Sequence, residues 1–145
     1  MIVREFKYDA DGYRDILAMR DRLLRKPLGL AWSGADLEGE STQLHFGLFD
    51  RDEGGELIAC VVIKPLDEDT AKLRQMAVDD PYRGSGAGSF LIRRVEDILR
   101  DRGFASIEMD ARETAVGFYE KLGYQVRGQR FTQVTIPHFR MLKTL

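Results

Sequence analysis

The chain has 145 residues, 43% of them hydrophobic, which suits one globular domain spanning 1–145 with a core of its own and argues against two. Lys and Arg number 22 against 24 Asp and Glu, so no surplus of positive charge exists to neutralise a nucleic-acid backbone, and no nucleic-acid partner is expected. The longest apolar run, Leu57 to Ile63, falls far short of the ~20 residues of a membrane span, and Arg4, Glu5 and Lys7 stand where a signal peptide would be apolar. A cytoplasmic protein without a membrane partner is the expectation. The one cysteine, Cys60, lies between Ala59 and Val61 and reads as a small hydrophobe in a reducing setting.

Alternation through Ile2, Arg4, Phe6 and Tyr8 predicts a first strand, and Asp9 or Asp11 can accept hydrogen bonds from the opening amides of a helix over 11–25. Tyr13, Ile16, Leu17, Leu23 and Leu24 keep helical spacing there until Lys26 and Pro27 stop it. Residues 28–43 read as a long loop or a short second helix. Strands over 44–50 and 56–66 follow, joined by a turn at Gly54 and Gly55. A fourth strand covers 70–78, and Asp79, Asp80 and Pro81 end it. A helix over 88–103, a strand over 104–110, a short helix over 112–122 and strands over 124–131 and 135–142 complete the order βα(loop)βββαβαββ. No internal repeat or low-complexity tract interrupts it.

The strongest local signal is Arg83-Gly84-Ser85-Gly86-Ala87-Gly88 between a strand and a helix. Glycines let backbone amides converge on an anion, and the helix N-terminus adds partial positive charge, so the segment fits a pyrophosphate. A dinucleotide fingerprint would need glycine at Ser89, and a P-loop would need Lys followed by Ser or Thr at Ser89 and Phe90. The loop alone is also compatible with a plain connection that holds no ligand.

Arg83, Gly86 and Gly88 match the Gln/Arg-x-x-Gly-x-Gly/Ala signature of the GCN5-related N-acetyltransferase (GNAT) family, which the chain resembles. The resemblance extends through Leu73 to Val78, through Ala111, Arg112 and Ala115, and through Phe118-Tyr119-Glu120-Lys121-Leu122-Gly123-Tyr124. Leu24 to Gly29 and Ile136-Pro137-His138 resemble its ElaA-like branch. The resemblance implies an α/β fold with a mixed, mostly antiparallel sheet of about seven strands, flanked by helices and splayed after the fourth strand to admit acetyl-CoA. It implies transfer of acetyl to a primary amine of a small molecule or peptide, by direct attack in a ternary complex. A non-catalytic acyl-CoA-binding or sensing module on the same fold is the rival, and a homodimer is left open.

By the same resemblance, backbone around Met76, Ala77 and Val78 lies beside the thioester and pantetheine, and amides from Arg83 to Ser89, including Ser85 and Ala87, hold the pyrophosphate. Arg112 stands where many members reach the pantetheine with Asn, and Phe118 and Lys121 complete the implied cofactor set. Tyr119 matches the acid that protonates the departing thiolate, a workable transfer because thiol and phenol titrate near ~8.5 and ~10. Packing of Phe118 and Tyr119 into the core is the alternative. His138 is the candidate base, beside Pro137 in a late strand, with a hydrogen-bonded sheet histidine as the alternative reading. His45, Glu108 and Asp110 stand in reserve, and many members use a water chain instead.

The acceptor pocket is expected to draw on Arg25, Trp32, Asp36, Glu38 and Glu40. The acidic loop would attract a cationic amine or simply face water, whereas Arg74 and Arg112 would favour an acceptor with a carboxylate or phosphate. No Cys/His cluster has ligand spacing, so the chemistry calls for no metal.

Overall fold

The computed structural model describes residues 1–30 and 37–145, so the expectations placed on Trp32 and Asp36 lie outside the described residues. Strand β1 (Ile2–Phe6) leads into helix α1 (Asp11–Arg20), which continues as a π turn, Asp21–Arg25, and a 3-10 turn, Lys26–Leu28. A 3-10 turn, Glu40–Thr42, precedes strands β2 (Leu44–Phe49), β3 (Leu57–Pro65) and β4 (Thr70–Val78). Helix α2 (Ala87–Asp101), strand β5 (Ser106–Arg112), helix α3 (Val116–Lys121) and strands β6 (Gln125–Gln133) and β7 (Ile136–Thr144) follow.

The strands form one sheet of seven in the order β1-β2-β3-β4-β5-β7-β6. Only β4 and β5 pair in parallel, and every other neighbouring pair is antiparallel. This is the mixed, helix-flanked sheet expected from the resemblance.

Its two faces are distinct because strand side chains alternate. Ala71, Leu73, Ile107, Met109 and Ala111 join Ala87, Leu91, Ile92, Val95 and Leu99 of α2 in the main core. The apolar positions of α2 recur at helical spacing, which is why it lies flat on this face. On the other face Ile16 and Met19 of α1 pack on Cys60 and Ala77. Cys60 is fully buried there, and burial pushes its thiol up to about 12, as befits a core side chain and not a nucleophile.

Several local expectations are corrected. Helix α1 is capped at Ala10 with no side-chain hydrogen bond, so neither Asp9 nor Asp11 caps it. The predicted helix over 11–25 is α-helical only to Arg20, since helical apolar spacing does not separate an α from a π turn. Residue Arg112 ends β5 instead of opening a helix, and α3 begins at Val116.

Candidate active site

The β4–β5 ladder pairs Thr70 with Ser106 and ends at Leu73 with Met109, although β4 runs on to Val78 and β5 to Arg112. The cause is a bulge. Opposite β3 the register changes between Cys60 and Val62, which pair with Ala77 and Arg74, so β4 carries one extra residue, and Gln75 adopts φ 52°. The bulge turns the end of β4 away from β5 and opens a gap. Alternation then fixes which backbone groups face it: Ala77 pairs with Cys60, and the Asp79 amide bonds the Ile58 carbonyl 2.8 Å away. The amides of Met76 and Val78 are therefore directed into the gap, while that of Ala77 belongs to the β3 ladder.

Beyond β4, Asp80–Tyr82 makes a 3-10 turn, and Gly84 and Gly86 take φ 76° and 88°, a region that costs other residues strain. A Cβ on either would meet nothing within 4 Å. The Arg83 and Ser85 amides are spent on the Asp80 and Tyr82 carbonyls, each at 3.2 Å. Those of Gly84, Gly86, Ala87, Gly88 and Ser89 have no acceptor among the described residues; the last three head α2, whose dipole adds positive charge. This open cradle fits a pyrophosphate. The Arg83 side chain stands at its edge, with Nε 3.4 Å from the Val78 carbonyl and 3.2 Å from Asp80 Oδ1. The cradle lies against α3, because a Cβ at Gly88 would come within 3.2 Å of the Phe118 ring. Lys121 is exposed at the end of α3.

A cleft of about 350 Å³ occupies the gap, lined among others by Met76, Arg112, Tyr119 and His138. Tyr119 is 6% exposed and packs edge-on against Phe118 and Tyr124, at ring-centroid distances of 5.0 and 5.7 Å. Its hydroxyl has no hydrogen-bond partner among the described residues, and burial raises its pKa, which keeps the proton on it. Tyr124 differs: its hydroxyl donates to Glu96 Oε2 at 2.8 Å, and Lys143 closes the network by bonding Glu96 Oε1 at 3.0 Å. One tyrosine braces the fold and the other faces the cleft with its proton uncommitted.

His138 comes from β7, opposite Arg112 on β5, and stacks on Phe131. Its Nδ1 lies 2.8 Å from the Ile136 carbonyl. A carbonyl only accepts, so Nδ1 carries the proton and Nε2 of the neutral ring keeps its lone pair. Ala111 faces α2, so Asp110 and Arg112 face the other way, as does His138, the cross-strand neighbour of Arg112. Tyr119, in the α2-side core, and His138 thus reach the gap from opposite faces of the sheet.

Two of the reserve candidates, Asp110 and His45, are engaged by neighbouring groups. Asp110 is penalised by burial, but hydrogen bonds from Lys72 and Arg140, each at 3.0 Å, outweigh this and hold its carboxyl below the usual range. His45 is fully buried, its Nε2 2.7 Å from the Glu40 carbonyl. Glu40, expected on an acidic loop that either lines the acceptor pocket or faces water, is instead fully buried and accepts from Arg20 Nη1 at 2.7 Å and Tyr13 at 3.0 Å. Glu38 is exposed. The Arg20–Glu40 pair was missed because its partners lie twenty residues apart and nothing local marks either as buried.

The comparisons agree with this geometry. The model of the acetyltransferase (GNAT) family matches residues 14–124. YyaT, an uncharacterised Bacillus subtilis protein, is 38% identical over 76 residues, 52% of this chain and 51% of YyaT, so the matched stretch spans about half of that relative. YitI of the same organism, described as an uncharacterised N-acetyltransferase, is 32% identical over 138 residues, 90% of this chain and 91% of its own. Among solved structures, Escherichia coli ElaA superimposes with TM-score 0.80 at 16% identity, covering 99% of each chain. An aminoglycoside 6'-N-acetyltransferase complexed with coenzyme A gives TM-score 0.77 at 22% identity, covering 99% of this chain and 97% of its own. These structures share the fold, and the sequence match over 14–124 establishes that the chain belongs to the acetyltransferase (GNAT) family.

Proposed function

We propose that the chain is an acetyl-CoA-dependent N-acetyltransferase that moves acetyl to a primary amine by direct attack in a ternary complex. The observation that carries this reading is the Tyr119 hydroxyl, unpartnered among the described residues, on a largely buried ring in a cleft that also receives the β4 amides. A module that only bound acyl-CoA would have no use for an uncommitted proton there.

In this reading the amides of Gly84, Gly86, Ala87, Gly88 and Ser89 hold the pyrophosphate, with the Arg83 guanidinium adding charge at the edge. The cosubstrate supplies the activated thioester. The amides of Met76 and Val78 donate to the acyl oxygen as negative charge develops on it; being fixed in the strand, they need no reorganisation. Tyr119 delivers its proton to the departing sulfur, and a thiolate leaving into a partly enclosed cleft is itself made more basic by desolvation. On the opposite face, Nε2 of His138 takes the proton lost by the attacking amine.

A thiol-release screen tests this. Purified protein is mixed with acetyl-CoA and a panel of amino acids, polyamines, amino sugars, aminoglycosides and peptide N-termini. Amine-dependent release of coenzyme A is expected; firm binding of acetyl-CoA with no release above background across the panel would favour the sensing module.

A further inference from the structure

The side of the cleft away from the pyrophosphate cradle is lined by Arg25, Lys72, Arg74 and Arg112, against Asp110 as the one carboxylate among its described lining residues. The charges are not equally engaged. Asp110 is shared between Lys72 Nζ and Arg140 Nε, each at 3.0 Å. Arg74 Nη1 donates to Gln43 Oε1 at 2.6 Å and lies 3.5 Å from Glu40 Oε2, on a carboxylate already bound by Arg20 and Tyr13. Arg112 has no hydrogen bond or ion pair among the described residues, yet it lines the cleft beside His138.

We propose that the acceptor amine carries an anionic group, a carboxylate or a phosphate, which the Arg112 guanidinium grips with Arg74 beside it. The inference rests on the acetyl-transfer reading. Sheet alternation supports the acceptor side: Arg112 shares the face of Asp110 and His138, opposite the α2 face that carries the cradle. A guanidinium facing a partly enclosed cleft, without a counterion among the described residues, gains two charge-assisted bonds from a planar carboxylate or a phosphate. The same Arg112 charge repels a di- or polyamine. An anion held at Arg112 would bring its amine toward Nε2 of His138, the cross-strand neighbour.

The first test titrates inorganic phosphate calorimetrically into protein saturated with coenzyme A, so that the cradle is filled. Saturable phosphate binding is expected, weakened about tenfold or more in Arg112→Gln and partly restored in Arg112→Lys. Absence of a saturable site, or equal binding in Arg112→Gln, overturns the proposal. The coenzyme A-induced rise in melting temperature is expected to persist in Arg112→Gln; its loss would put Arg112 on the cofactor side and overturn the proposal too. The second test compares thiol release for glycine against glycinamide, and phosphoethanolamine against ethanolamine. An advantage of about tenfold or more for the anionic member, collapsing in Arg112→Gln, supports the proposal, and the pair that shows it identifies carboxylate or phosphate. Turnover with the neutral members equal or preferred sinks this proposal alone, whereas no turnover with any amine of the full panel sinks the acetyl-transfer reading and this proposal with it.

Discussion

The imidazole Nδ1 of His138 donates to the carbonyl of Ile136, two residues back on the same strand, at 2.8 Å. This bond holds in both charge states of the ring, because the carbonyl can only accept. Protonation therefore occurs at Nε2 alone. The ring is oriented by its own backbone and by stacking on Phe131, so no distant partner is needed to set the tautomer. If Nε2 is the base, His138→Gln removes a limb of the pH–rate profile whose midpoint does not move when amines of different basicity are compared. The loss in turnover is expected at ~10² or more. An unchanged limb with the same midpoint in the variant would show that the proton goes elsewhere.

The cradle makes a separate prediction. Coenzyme A at ~100 times its dissociation constant should stabilise the protein by about 2.7 kcal/mol. Gly86→Glu should abolish this, since it sets a carboxylate among amides that await an anion. Gly86 adopts φ 88°, so Gly86→Ala serves as the control for backbone strain alone. The alanine variant should lose stability without ligand and still gain it with coenzyme A. Equal ligand-induced shifts in the glutamate variant and the wild type would locate the phosphate site elsewhere.

His45 couples stability to pH. Burial, opposed by its bond to the Glu40 carbonyl, holds the folded pKa of His45 below its ordinary value, with Arg20 and Arg74 adding to the depression. Below pH ~6.5 the unfolded chain takes up a proton that the folded chain refuses, so stability falls as pH drops from there toward the folded pKa. Glu40, also held low, contributes in a lower window, where stability is lost as pH falls below about 4. In denaturant titrations between pH 7 and 5, His45→Gln should flatten the slope while leaving the deeper acid transition. An unaltered slope would mean that another group titrates there.

Glu40 is fully buried with Arg20, so removing its charge takes a counterion from a guanidinium in the interior. Glu40→Gln should cost about 3–5 kcal/mol in an equilibrium unfolding experiment. A cost under about 1 kcal/mol would mean that the pair is balanced by other groups.

The order of strands and helices was legible because α2 and the strands carry clean apolar periods, and the glycine loop was legible from its position as an open turn at the head of a helix. The bulge at Gln75 was not, since neither glycine nor proline marks it, yet it directs Met76 and Val78 into the gap and leaves Ala77 to β3. The turn between β6 and β7 was also hidden: Val134 and Thr135 take φ 50° and 61°, positions usually signalled by Asn or Gly. The side of the cleft occupied by Arg112 became readable only once β5 was seen to reach it, because a residue opening a helix carries no sheet parity. Tyr119 and His138 were named from sequence for the acid and the base, and both line one cleft.

The most direct test of the account is the turnover of Tyr119→Phe, measured where chemistry limits the rate. The ring remains packed against Phe118 and Tyr124, so coenzyme A affinity should stay near that of the wild type. Turnover should fall about 10²-fold, the lower end for general acids, because a thiolate is already a tolerable leaving group. An acyl-CoA analogue whose leaving thiol has a lower pKa should recover part of that loss in the variant and gain little in the wild type. Wild-type turnover of acetyl-CoA by Tyr119→Phe would contradict the account.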